Sequence, residues 1–178
     1  MPAVRFNFLN FILILVVGLI LSGLQTTFWF QIFGSLPAPL LWLNLVLYLI
    51  LFRKPMEGIL TIYVLALFLR PFTAMPLGVL WLSLLAVFVV MSFVKKRVFW
   101  PSSRYFIFAS LGIALCYHLA YLLTSAWFEV NSANVNFFHR FFEVLFTMVT
   151  AAPLYYVLSW LDRVTNKEIL PESGSAEA

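Results

Sequence analysis

Apolar residues run through this chain in long unbroken blocks, divided by short polar breaks. The first block runs from about Phe6 to Phe30 and ends at the turn FGSLPAPL, where Pro37 and Pro39 suit a turn followed by a helix start. A second runs from Pro39 to Phe52 and stops at RKPMEG, which holds Arg53, Lys54, Pro55 and Glu57. A third covers Gly58 to Leu69, and FLRPFTAMPLG follows, with Pro71 and Pro76 bracketing a short turn. The fourth covers Leu77 to Val94 and meets the basic segment KKRVFWPSSR. The fifth covers Tyr105 to Phe128, before EVNSANVN, and the sixth Phe137 to Leu161. The pattern predicts one domain of six helices over residues 1–163. A polar tail at 164–178 is predicted to be disordered.

Composition decides the solvent. Of the 178 residues, 63% are hydrophobic and only 10% charged, with a mean hydropathy of +1.00. A soluble fold carries roughly a quarter charged residues and has no place to hide this much apolar surface. The lipid bilayer is the expected surrounding. There the backbone must satisfy itself in helices or in a closed barrel. Barrel strands alternate in polarity over about ten residues, whereas these tracts are continuous and Leu-rich. The fold class expected is therefore an all-α integral membrane protein, a compact bundle of six transmembrane helices. Helices two and three are short against the ~20 residues a span needs. They are predicted to cross with the help of their neighbours or of a thinned bilayer, in preference to forming a re-entrant hairpin. The first tract is longer than the ~7–15-residue core of a secretory signal, and GLQTTFWF offers no cleavage pattern, so it is read as helix one.

Charge sets the orientation. With the N-terminus inside, nine of the eleven basic residues fall on the inner side, including Arg53, Lys54 and the basic loop of Lys95, Lys96, Arg97 and Arg104. Only Arg70 and Arg140 fall outside. Both termini are thus expected on the cytoplasmic side of the membrane. The net charge of +4 marks membrane topology and not nucleic acid. The basic loop would also meet anionic headgroups. Cys116 is the one cysteine, so an intramolecular disulfide and a thiolate metal site are excluded.

Few polar residues remain as candidates for chemistry or contact. Arg140, Glu143, Thr147 and Thr150 recur every three or four positions and share one face of helix six. Glu143 lies about a turn below the helix start, at the depth of Arg70. Arg70 is expected to end its helix and snorkel to the interface; the sharper alternative is an ion pair of Glu143 with Arg70 or with Arg140, since a lone carboxylate there is expensive. On helix five, Ser110, Ala114, His118, Tyr121 and Ser125 form a second stripe. His118 is expected to hydrogen-bond within the bundle and, failing that, to relay protons or bind a ligand. Gly18 and Ser22 make a small-residue pair that lets helices approach, and Gln25 and Asn44 can bond between helices. Trp29, Trp81, Trp100, Trp127 and Trp160 suit an interfacial belt. No phosphate loop, nucleophile elbow, zinc or dinucleotide pattern occurs, so no cofactor, metal or catalytic residue is assigned.

Several pieces, in order, resemble the bacterial rod-shape-determining MreD family. LQTT at 24–27 is similar to the LQST-type ending of that family's first helix. RKPMEG at 53–58 resembles its R-x-G-P-x-x-G loop at Arg53, Pro55 and Gly58. MPLGVLWL at 75–82 resembles its PLG turn before helix four. TAAPLYYVLSWLDR at 150–163 resembles its last helix, with an alanine-proline pair and a closing LDR-like stretch. The tract LTIYVLALFLR departs from the family: it has no glycine after Gly58, and Arg70 stands where the family has an acidic residue. The resemblance implies a non-enzymatic scaffold of the cell-elongation machinery. Its partners would be a single-span protein similar to MreC and, through it, the actin-like filament protein and the peptidoglycan polymerase and transpeptidase. The alternative is a substrate-binding subunit of an energy-coupling-factor vitamin transporter, with a pocket lined by Arg70, Glu143, Trp127 and the EVNSANVN loop.

Overall fold

A computed structural model describes residues 8–98, 102–129 and 136–166. Arg5, the expected helix start at Phe6, Trp100, the loop core 130–135, Lys167 and the tail beyond 166 lie outside the described residues. Among those described, all regular structure is helical. Helix α1 is Phe8–Phe33, α2 is Leu41–Phe52, and α3 is Pro55–Leu69 continued by a 3₁₀ turn at Arg70–Phe72. Helix α4 is Leu77–Val98, α5 is Ser103–Phe128 and α6 is Phe137–Val164. Five of the six are long and apolar enough to cross a membrane, the architecture of a multi-pass membrane protein. The exception is α2, with 12 residues.

The element boundaries have local causes. α1 runs past Phe30 because the tract stays apolar up to Gly34, whose φ of +61 suits glycine and closes the helix. One π-helical turn at Leu24–Phe28 lies inside it. α3 starts at Pro55, not at Gly58, because proline fits the first helical position. α5 starts two residues before Tyr105, where the Ser102 side chain accepts a hydrogen bond from the Tyr105 N–H at 3.1 Å. α4 continues to Val98, so Lys95, Lys96 and Arg97 belong to its last turn and not to a loop. Their long stems suit a helix, and their charge favours its C-terminal end. Arg104 likewise sits in the first turn of α5.

The short α2 is the centre of the molecule. Every residue from Trp42 to Phe52 is buried, and α2 touches all five other helices. A helix that is apolar all round belongs in a core, and here the five long helices supply its walls. Neighbours in the ring are α1 with α3, α3 with α4, α4 with α5 and α5 with α6. The ring closes where Asn10 of α1 bonds Asp162 of α6 and Trp29 packs near Phe146, their centroids 5.8 Å apart. Because α2 does not face lipid, it need not match the bilayer. At 1.5 Å per residue it covers about 18 Å of a hydrocarbon layer of about 30 Å.

The ends of α2 carry backbone groups that lipid cannot satisfy. Neighbouring side chains do so. The Leu40 N–H donates to Thr147 Oγ1 at 2.8 Å, and the Leu41 N–H to Gln25 Oε1 at 3.1 Å. At the other end Lys95 Nζ donates to the Ile50 carbonyl at 3.0 Å. Two glycines permit close helix contacts. A Cβ on Gly18 would come within 2.5 Å of Leu65 Cδ1, and one on Gly58 within 3.3 Å of the Leu49 carbonyl oxygen.

Candidate functional site

The bundle holds two buried polar clusters, one at each end of α2. The start of α1 and the ends of α2, α4 and α6 meet at the first, through Asn10, Arg53, Lys95 and Asp162. Here Arg53 forms an ion pair with Asp162, both nearly inaccessible. Asp162 Oδ1 also accepts from Asn10 Nδ2 at 3.0 Å, and its Oδ2 accepts from the Tyr48 hydroxyl at 2.7 Å. Arg53 Nη2 donates to Asn10 Oδ1 at 3.0 Å, and Asn10 Nδ2 reaches Thr165 Oγ1 at 2.7 Å. The guanidinium stands 6.0 Å from the Tyr48 ring centre. The Asp162 carboxylate and the Arg53 Nη2 thus have partners, as burial of charge requires, while Arg53 Nε and Nη1 are buried with no hydrogen-bond partner among the described residues.

The second cluster surrounds a chamber of about 470 Å³ at the opposite end. Leu40 and Trp42, at the start of α2, line it together with residues of α1, of the turn after α3, of α5 and of α6. The chamber is the part of the ring that the short α2 leaves unfilled. Arg140 Nη1 donates to Glu143 Oε2 at 2.9 Å, and the Arg140 guanidinium lies 5.8 Å from the Tyr121 ring centre. Glu143 is only 9% exposed, and His118 Nε2 stands 3.6 Å from the same carboxylate oxygen. Below them Thr147 links two elements: its hydroxyl donates to the Glu143 carbonyl at 2.6 Å while accepting from Leu40. Asn44 Nδ2 completes the tie from α2, donating to the Thr147 carbonyl at 3.0 Å.

The expected site residues fall as follows. Glu143 pairs with Arg140 and not with Arg70, which is exposed at the end of α3 and forms no ion pair among the described residues. The 3₁₀ turn places Arg70 at the edge of the bundle, where its side chain reaches solvent. Gln25 and Arg140 line the chamber with Glu143, and Thr147 lies beneath it. His118 is buried, yet neither ring nitrogen has a hydrogen-bond partner, contrary to the intrabundle hydrogen bond expected for it. It is held beside Glu143 by the packing of α5 on α6. Lys95 caps α2, and Arg97 lies over the Phe93 ring at 5.5 Å. Trp127, assigned to the pocket in the transporter alternative, is 84% exposed and does not line the chamber, and neither does Arg70.

Asp162, Arg53 and Asn10 were not marked as a site by sequence reasoning. The available signal was a polar residue at a margin of each of three apolar tracts: Asn10 near the start of the first, Arg53 at the close of the second and Asp162 at the close of the sixth. No group of three or more metal-ligating side chains occurs among the described residues. Comparison with protein-family models, with curated proteins and with solved structures found no match to this chain.

Proposed function

We propose that this protein is a non-enzymatic scaffold of the bacterial inner membrane that serves cell elongation. It would dock a single-span partner similar to MreC by helix packing, and through it join the actin-like filament and the peptidoglycan-synthesising enzymes. One observation carries the reading: residues that bear the resemblance to the MreD family meet in space. Arg53 of RKPMEG pairs with Asp162 of the closing LDR stretch, over a separation of 109 residues. Gly58 of the same loop lies where a Cβ would press on the Leu49 carbonyl, and Gln25 of LQTT caps α2. The motif positions thus have connected jobs in one fold. The basic residues support one orientation in this reading, with the end bearing Arg53, Lys95 and Arg163 towards the cytoplasm and the chamber outward.

Docking in lipid relies on close packing and a few hydrogen bonds, because apolar surface alone gains little from leaving lipid. Gentle solubilisation and identification of co-purifying proteins test the reading. A bitopic elongation partner is expected, together with rounding of rod-shaped cells on depletion. Unchanged cell shape on depletion would contradict it. The chamber supports a second reading, the substrate-binding subunit of a vitamin transporter. ATPase subunits co-purifying with a bound vitamin-like molecule would favour that reading.

A further inference from the structure

We propose that the outward chamber is a binding site for a small organic cation with a compact aromatic or apolar body. Its volume of about 470 Å³ falls within the range of ligand pockets, roughly 300–1,000 Å³. Three charged side chains line it: Glu129, Arg140 and Glu143. The Arg140 guanidinium is already engaged by Glu143 and by the face of Tyr121. Among the described residues this leaves Glu129 as the chamber carboxylate without an ion-pair partner. Its carboxylate accepts a hydrogen bond from the Ser125 hydroxyl. In a site with low-dielectric walls, one excess negative charge selects a cation.

The walls suit the same ligand. Trp42 and Tyr117 are almost fully buried, meet edge to face at 5.2 Å, and line the chamber with Tyr121 and Phe72. Aromatic faces attract ammonium groups, most strongly where water is excluded. The wall also carries a hydroxyl that no protein group among the described residues uses. Thr73 Oγ1, on the chamber wall, is buried and has no hydrogen-bond partner. Buried hydroxyls ordinarily find one. The assignment rests on the chamber alone and stands or falls separately from the scaffold and transporter readings.

Four probes built on one benzyl frame separate charge from shape: benzylamine, benzyltrimethylammonium, benzyl alcohol and benzoate. Each is titrated by calorimetry and thermal unfolding against the purified full chain in nanodiscs. The two cations are expected to bind at least about tenfold more tightly than the alcohol and the anion. Glu129→Gln should weaken the cations about tenfold while leaving the alcohol unchanged. Ala74→Trp, which fills the chamber wall without altering a charge, should abolish binding of all four. It keeps the test decisive if Glu129→Gln does not fold. Equal affinities across the series, a preference for benzoate, or binding that survives Ala74→Trp would overturn the assignment.

Discussion

Asp162 receives three donors from three separate chain segments: Asn10 in α1, Tyr48 in α2 and Arg53 in the break after it. Asp162→Asn would leave the Arg53 guanidinium buried without its counter-charge, and removing one partner of such a pair costs about 3–5 kcal/mol. Denaturant titration in micelles should show that loss. Arg53→Met combined with Asp162→Leu should recover most of it, because an apolar pair leaves no charge stranded. At the chamber, Arg140→Ala and Glu143→Ala should be non-additive, with a coupling on the order of 0.5–3 kcal/mol. Arg70→Ala and Glu143→Ala should simply add; coupling in that second cycle would show that Arg70 reaches Glu143 in the membrane. The Arg140–Glu143–Thr147 stripe was legible because a helix brings positions three and four apart onto one face. The Arg53–Asp162 pair was not, because no local spacing relates residues that far apart in sequence.

At the scale of elements, the short α2 explains most of what surrounds it. Six helices and most of their limits followed from the apolar blocks. The position of α2 did not, because a tract that is apolar on every face carries no periodic sign of which side is buried. In the structure α2 lies inside a ring of the other five helices, where its length needs no lipid match. Gly18 shows how tightly that ring is drawn. Gly18→Ala should force Leu65, itself fully buried, out of place and destabilise the bundle by about 1–3 kcal/mol. Gly23 lies less than two turns further along α1, and a Cβ there meets nothing within 4 Å. Gly23→Ala should be neutral or slightly stabilising, since alanine is the better helix former by about 1 kcal/mol. Equal effects at the two glycines, in thermal unfolding of the purified variants, would show that α1 does not pack on α3 at Gly18.

For the whole molecule, burial predicts who meets lipid. A cysteine replacing Val46, which is fully buried, should resist a lipid-soluble photoprobe, whereas one replacing Leu119, 62% exposed, should label strongly. Composition alone revealed that the chain lives in a bilayer. The polar contacts that seal both ends of α2, and the chamber its shortness leaves, emerge only once all six helices are assembled.

The most direct measurement is cysteine labelling from the outer side of an intact membrane holding the protein, with Cys116 replaced by serine. Single cysteines stand at Met56 and Val98, near the Arg53–Asp162 cluster, and at Ala74 and Phe137, at the chamber end. All four positions are exposed. The account predicts that a membrane-impermeant maleimide added outside reaches Ala74 and Phe137, and reaches Met56 and Val98 only after permeabilisation. Labelling of Met56 and Ala74 from the same side would contradict it.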